Sequence, residues 1–150
     1  MEIRRATIAD IPALVNANQC IARETEHFEL DVDTLTRGVT AVFDDESRGF
    51  YLVAVEDGQV VGSLMITYEW SDWRNKNAYW IQSVYVHQDY RRRGVFKALY
   101  NHIEGDAKVH AGALRLYVDE DNVVAQGAYS AVGMRESHYK MFEIDYLERH

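Results

Sequence analysis

The sequence predicts an α/β protein on a mixed sheet, an α+β arrangement in which antiparallel hairpins lead into one parallel crossover. Three observations predict it. Asp57-Gly58 sits between two apolar runs, FYLVAVE and QVVGSLMITYEW, and Asp-Gly suits a type I′ hairpin turn because both positions take positive φ. Residues 78–119 read strand, helix, strand, the pattern of a β-α-β unit with parallel strands. The apolar period changes from helical to alternating and back along the 150 residues.

In chain order, residues 1–7 predict a short strand around Ile3. Asp10 is placed to cap a helix, and Pro12 falls in its first turn, where a missing N–H costs little. Ile11, Leu14, Val15 and Ile21 supply that helix's apolar face; the polar stretch ARETEHFELD, residues 22–31, reads as a loop. Leu35, Val39, Val42 and Phe43 predict a second helix over 33–43. The hairpin at 50–70 and the turn WSDWRNKN come next, and AYWIQSVYV, residues 78–86, is a strand rich in aromatic and β-branched residues. Val95, Leu99, Ile103 and Ala107 recur at i, i+4 in a helix over 94–110, with Gly112 as its stop. Residues 113–119 predict a strand, Asp121 or Asn122 caps a last helix ended by Gly133, and HYKMFEIDYL, residues 138–147, predicts a final strand. The predicted order is β-α-α-β-β-β-α-β-α-β, over one domain spanning 1–150.

Composition bounds the function. Apolar content of 47% and charged content of 27% are ordinary for a globular chain. No apolar run approaches the roughly 20 residues that span a bilayer, and MEIRRATIAD lacks a signal-peptide core. The net charge of −8 argues against general nucleic-acid binding and is compatible with a cationic acceptor. Cys20 is the only cysteine, which excludes an intrachain disulfide and a cysteine metal cluster. His27, His87, His102, His110, His138 and His150 are scattered without metal-pair spacing. The expectation is a cytoplasmic protein with no metal, no membrane and no nucleic-acid partner.

Against that acidic background, YRRRGVFKAL, residues 90–99, concentrates Arg91, Arg92, Arg93 and Lys97 at a predicted helix start. N–H groups of a first helical turn have no intrahelical partner and can converge on a phosphate. Gly94 permits close backbone approach. Several charge-assisted bonds at roughly 1.5–3 kcal/mol each can reach the ~8 kcal/mol of micromolar affinity. The bland alternative is a solvated basic turn. The segment has no Gly-Lys-Ser/Thr and no G-x-G-x-x-G, so it is neither a Walker loop nor a Rossmann fingerprint.

The segment resembles the coenzyme A diphosphate loop of the GCN5-related N-acetyltransferase (GNAT) superfamily, whose pattern is Gln or Arg, two residues, Gly, one residue, Gly or Ala. Arg91 and Gly94 match; Phe96 departs. IQSVYV, residues 81–86, resembles the family strand that carries a β-bulge, splays from its parallel neighbour and contacts the pantetheine arm. NVVAQGAYSAVGM, residues 122–134, resembles N-x-x-A-x-x-x-Y-x-x-x-G-F through Asn122, Ala125, Tyr129 and Gly133, with Met134 for Phe. The resemblance implies the GNAT acyl-CoA N-acyltransferase fold, its sheet splayed between the strands at 78–86 and 113–119. It implies acetyl-CoA as cosubstrate, held by Val84, Tyr85, Val86, Arg91, Arg92, Arg93, Gly94, Val95, Phe96, Lys97, Asn122, Ala125 and Tyr129. Phe96 is expected to keep helical φ and pack along its helix, reshaping the cradle without closing it.

The implied reaction is direct attack of a primary amine on the thioester, with a backbone N–H near Val84 polarising the carbonyl. Tyr129 would protonate the leaving thiolate; otherwise it packs the last helix. Some family members carry Glu or His on the bulged strand, at positions that hold Trp80 and Gln82 here; neither is a base, although Gln82 can orient a water. Glu69 is the first candidate base, ahead of Asp72, Glu26, Glu29 and Asp119, and relayed water can serve instead. Glu26, Phe28, Trp70, Asp72 and Gln82 are the acceptor-side candidates, and Glu24, Glu26 and Glu29 favour a small cationic amine. TYEWSDWRN, residues 67–75, is either an acceptor or dimer surface around Trp70 and Trp73 or a satellite cluster under the hairpin. Cys20 is expected far from the motif. A non-catalytic acyl-CoA-binding or regulatory module and a protein or peptide acetyltransferase remain alternatives. With one C-terminal strand where many relatives have two, a second subunit is expected to complete the sheet edge in a homodimer.

Overall fold

The computed structural model describes residues 1–147; His150 lies outside the described residues. The elements are β1 (Glu2–Arg5), α1 (Ile11–Glu26), α2 (Val32–Asp44), β2 (Phe50–Glu56), β3 (Gln59–Ser71), β4 (Lys76–Val86), α3 (Val95–His110), β5 (Ala113–Arg115) and α4 (Val123–Ala131). The chain falls into two compact units, Met1–Leu116 and Tyr117–His150. The first holds the whole sheet, in the order β1-β2-β3-β4-β5. β1 to β4 pair antiparallel, and β5 lies parallel to β4 through Ala78–Ala113, Tyr79–Leu114 and Trp80–Arg115. This is the predicted mixed sheet.

β2 reads as an unbroken apolar run because both faces of the sheet are covered. Tyr51 and Val53 join Leu14 of α1 and Val39 and Val42 of α2 in one buried cluster. The alternate residues Phe50, Leu52 and Ala54 stand opposite Ile66, Leu64 and Gly62 of β3, so the six share the other face. There α3 packs against Gly62. A Cβ at Gly62 would meet Val95 Cγ1 at 2.7 Å and Leu99 Cδ1 at 3.4 Å, so the missing side chain lets the first turns of α3 sit against the sheet. The β2–β3 turn takes positive φ at Asp57 (50°) and Gly58 (75°), as its sequence requires.

Four expectations are corrected. α1 continues through residues 22–26, read above as loop: Ala22 is buried and extends the apolar stripe. It ends at His27, whose φ is 53°, where Phe28 N–H donates back to Ala22 O at 3.2 Å. The Asp10 side chain does not cap α1; it accepts from Arg4 Nη1 (2.8 Å), Arg4 Nη2 (3.1 Å) and Thr7 N–H (2.8 Å). β5 ends at Arg115 rather than 119, short of the bulge in β4. No strand forms over 138–147: among the described residues of Tyr117–His150 the one regular element is α4. Asn122, not Asp121, caps α4, its Oδ1 accepting from Ala125 N–H at 3.1 Å.

The Arg4–Asp10 pair closes β1 onto the start of α1, with Asp10 only 7% exposed. The Arg4 guanidinium, and then the Thr7 N–H, hold the Asp10 carboxyl below its ordinary value of 3.8 against the opposing effect of burial. A carboxyl depressed by folding stabilises above its unfolded pKa, and that contribution is lost as pH falls through the folded value. Asp10→Asn is expected to cost about 2 kcal/mol at neutral pH, less than a fully buried pair because Arg4 keeps solvent access, or roughly 4–8 °C in Tm. The wild-type advantage should shrink as pH drops below 3.8, checked by melting both proteins at neutral pH and in acid.

Candidate functional site

β4 carries one residue more than β3 across its middle. Ser63 stands opposite Tyr85 and Met65 opposite Gln82, so Ser83 and Val84 together face Leu64. Ser83 takes φ 51°. This is a β-bulge, which bends its strand and raises its twist. The parallel pairing with β5 already stops at Trp80–Arg115, while β4 runs on to Val86. Residues 81–86 therefore leave their parallel neighbour, as the resemblance implied.

From Val86 the chain passes through a 3-10 turn, Gln88–Tyr90, into the three arginines. Arg92 takes φ 63° and Gly94 φ 79°. Alternating left-handed residues ahead of a helix turn successive N–H groups toward one concavity. Gly94 is the N-cap of α3, and the first bond of the helical ladder runs from Ala98 N–H to Gly94 O at 3.0 Å. The N–H groups of the first turn, at Val95, Phe96 and Lys97, precede that ladder. A Cβ at Gly94 would meet nothing within 4 Å, so the concavity is open. Phe96 is helical, as expected, and its ring tilts against Tyr100 at 6.1 Å.

The arginines do different things. Arg91 Nε donates to Val86 O at 2.9 Å, and its Nη2 donates to Glu24 Oε1 of α1 at 2.6 Å. Its guanidinium also lies 5.7 Å from the Tyr85 ring centroid. The Val86 carbonyl, expected to face the pantetheine arm, is thus taken by Arg91. Arg93 lies over the Tyr90 ring at 5.3 Å. Arg92, Arg93 and Lys97 are exposed at the helix start. Tyr85 reaches α1 as well. Burial, and then a hydrogen bond with Cys20, push its phenol up to about 12. Cys20 is therefore not far from the motif: α1 packs across β4 and brings it to Tyr85. A small cavity lies beside this contact, lined by Ala13, Asn16, Gly62, Ser63 and Tyr85 among others.

The acceptor-side candidates separate. Gln82 Nε2 donates to Thr67 Oγ1 at 2.6 Å. Glu69, opposite Ala78 in the ladder, accepts from Arg115 Nη1 at 2.9 Å. Glu29 accepts from Arg23 Nε at 2.7 Å. Glu26 is the exposed last residue of α1, and Phe28 beyond it is half-buried. Asp72 and Trp73 lie in the β3–β4 turn, Trp70 lies near the end of β3 opposite Asn77, and Trp73 is 96% exposed. The satellite cluster does not form; the tip is an exposed apolar surface. Asn122, Ala125 and Tyr129 belong to the second unit, where burial pushes the Tyr129 phenol above its ordinary value. Among the described residues no group of three or more His, Cys, Asp or Glu side chains could hold a metal ion, and no helix is long and apolar enough to cross a membrane.

Ser83 was not legible as the pivot, since serine carries no preference for the left-handed region. A Cβ there costs roughly 1–2 kcal/mol. Ser83→Gly is expected to be neutral or stabilising by up to about 1 kcal/mol, and Ser83→Val destabilising by about 2 kcal/mol, because a β-branched side chain fits that region worst. Denaturant titration of both variants checks the order; equal effects would show that the bulge does not hold Ser83 at positive φ.

A family model for the acetyltransferase (GNAT) family matches residues 13–134. A solved structure described as a possible acetyltransferase from Clostridium difficile 630 is 43% identical, with 98% of each chain covered and a TM-score of 0.92. A probable acetyltransferase is 21% identical over 99% of each chain at TM-score 0.87. A ribosomal-protein-alanine N-acetyltransferase from Brucella melitensis biovar Abortus 2308 shares the fold at 17% identity and TM-score 0.80, with 97% of this chain and 100% of that one covered. No curated protein matches the chain.

Proposed function

The chain belongs to the acetyltransferase (GNAT) family, and from that premise we propose that it moves an acetyl group from acetyl-CoA to a primary amine. The observation that carries this reading is the continuous path from the bulge at Ser83 through the left-handed turns at Arg92 and Gly94 into α3. That path fits a diphosphate: an open concavity, a helix N-terminus and three exposed cationic side chains. The first-turn N–H groups of Val95, Phe96 and Lys97, with Arg92 and Arg93, would hold the phosphates; the backbone at Val84 and Tyr85 would face the pantetheine arm. Arg91 acts as a positioning residue, fixing the loop to Val86 and to α1. Asn122 holds the start of α4, which carries Ala125 and Tyr129. The family match runs across both units, which supports reading 1–150 as one GNAT domain.

Acetyl-CoA supplies an activated acetyl group. The amine nitrogen bonds to the acetyl carbon as the carbon–sulfur bond breaks. Tyr129, whose raised pKa keeps its proton in place near neutrality, gives that proton to the leaving sulfur. Glu69 or a relayed water takes the proton lost by the amine, and Glu69 must first part from Arg115. Support for a small cationic acceptor is narrower than composition suggested, because Glu24 and Glu29 are neutralised by Arg91 and Arg23. It rests on Asp72 and the exposed Trp70 beside it. A second reading, a non-catalytic acyl-CoA-binding module, has one observation in its favour: Glu69 and Gln82 are both already engaged.

Calorimetric titration tests the cradle, and free-thiol release on an amine panel separates the two readings. Acetyl-CoA is expected to bind at micromolar Kd, roughly tenfold weaker for Arg91→Ala, since one charge-assisted contact or its positioning effect is worth about 1.5 kcal/mol. Tyr129→Phe is expected to lower kcat by about 10²-fold with little change in KM for acetyl-CoA. Binding without turnover on any amine would favour the non-catalytic module; no binding at millimolar acetyl-CoA would overturn both.

A further inference from the structure

An ion pair stands at the point where β4 and β5 separate. The parallel pairing ends at Trp80–Arg115, so Arg115 is the last residue of β5 and marks the apex of the gap beyond it. On β3, Glu69 stands opposite Ala78. Ala78 and Trp80 share one face of β4, and directly opposed residues share a face. Glu69 and Arg115 therefore flank β4 from its two sides, on that same face. Arg115 Nη1 donates to Glu69 Oε1 at 2.9 Å, a bond that crosses over β4. The short Ala78 side chain leaves the two long ones room to meet. Gln82 and Thr67, bonded to each other at 2.6 Å, continue this face toward the bulge. All of these residues belong to the first unit.

The pair is held loosely. Arg4 and Asp10 share two bonds, as do Arg23 and Glu29. Arg91 gives Glu24 one bond and adds another to Val86 O. Among the described residues, the one hydrogen bond of the Arg115 side chain is that to Glu69, and the two side chains are 41% and 52% exposed. Such a pair adds little to stability and exchanges readily. A guanidinium fork can give a carboxylate two parallel bonds, which is the stronger contact. A ligand carboxylate docked on that fork therefore displaces Glu69. We propose that the acceptor is a free amino acid, that Arg115 binds its carboxylate, and that the exchange releases Glu69 to take the proton of the neighbouring amine. This rests on the acetyl-transfer reading above and narrows its acceptor.

An amino acid answers both charges at once. Its carboxylate matches Arg115 and its ammonium matches Glu69, so one ligand replaces one ion pair with two. A simple amine leaves Arg115 holding the base. A peptide N-terminus offers an uncharged amide where the carboxylate would be. A zwitterion carries no net charge, so the −8 of the chain does not repel it. On the acetyl-transfer reading the thioester lies in the gap between β4 and β5, and an amine held at the apex is held toward it. The steps balance. The ammonium gives one proton to Glu69, which passes it to solvent. The neutral nitrogen bonds to the acetyl carbon, and the carbon–sulfur bond breaks with its electron pair on sulfur. The nitrogen loses its second proton as the sulfur gains one, leaving an amide and a thiol.

The test sets a panel of L-amino acids against their amides, which keep the amine and lose the carboxylate, with thiol release from acetyl-CoA as readout. For the preferred amino acid, kcat/KM is expected to be about 10²-fold higher than for its amide. Arg115→Gln should abolish that preference by raising KM for the amino acid, and should raise kcat/KM on the amide because Glu69 is then released. Arg115→Lys should recover part of the preference. Glu69→Gln should lower kcat about tenfold or more with little change in KM. A pair that only braces the sheet would respond alike to both variants with the acid-to-amide ratio unmoved, which overturns the proposal. Equal rates on acids and amides also overturn it and leave acetyl transfer standing. Calorimetric titration of the same amino acids into the coenzyme A complex is the second arm, independent of turnover. Binding that Arg115→Gln weakens supports the carboxylate site; if no amine is then acetylated, it is the acetyl-transfer reading that falls. No binding at millimolar amino acid overturns the proposal.

Discussion

One extra residue in β4 organises this structure. Between Gln82 and Tyr85 the strand spends two residues, Ser83 and Val84, where β3 spends only Leu64. A parallel ladder needs two strands advancing in step, and a bulge bends one of them. The pairing of β4 with β5 ends at Trp80–Arg115, and the chain beyond is directed into the turn that starts α3. The left-handed conformation of Ser83 is the local cost, on the order of 1–2 kcal/mol. The surrounding sheet holds it there: Leu64 and Ile66 are fully buried on β3, and Ile81 is buried beside them on β4.

The placement of α3 depends on a second small feature on the same strand pair. Gly62 opposes Val86, the last residue of β4. Its missing Cβ leaves room for Val95, the first residue of α3. The strand end and the helix start are therefore set by the same short stretch of β3. Arg91 ties them from the outside, through Val86 O on one side and Glu24 of α1 on the other. Three adjacent arginines looked costly in the sequence. One is neutralised by Glu24 and one lies over Tyr90, so their mutual repulsion is reduced by contacts from outside the turn.

What the sequence made legible was local. Asp57-Gly58 names its own turn chemistry, and the i, i+4 stripe of Val95, Leu99, Ile103 and Ala107 names a buried helix face. The helical conformation of Phe96 is legible in the same way, because helical φ accepts any L side chain. What it hid was partnership. Glu24 and Arg91 are 67 positions apart, and nothing in either neighbourhood points to the other. Cys20 meets Tyr85 only because α1 crosses β4. The strand pattern at 138–147 was read from propensity, yet a strand exists only against an edge. The same limit applies to Glu69: its strand-end position was legible, its bond to Arg115 was not.

Those partnerships bear on how an anion meets an acidic protein. The chain carries −8 overall, and an approaching polyanion would meet net repulsion in the absence of salt. At physiological ionic strength the Debye length is about 8 Å, so charges beyond the local cluster are largely screened. Within that range the α3 start presents Arg92, Arg93 and Lys97, while Glu24, the acidic residue bonded to the loop, is engaged by Arg91. The Glu24–Arg91 pair is half exposed and adds little to stability on its own. Its effect is on geometry and field: it fixes the turn and neutralises a carboxylate that faces it from α1. Low salt should therefore weaken anion binding at this turn relative to physiological salt, the reverse of the behaviour of a basic protein, whose long-range field attracts.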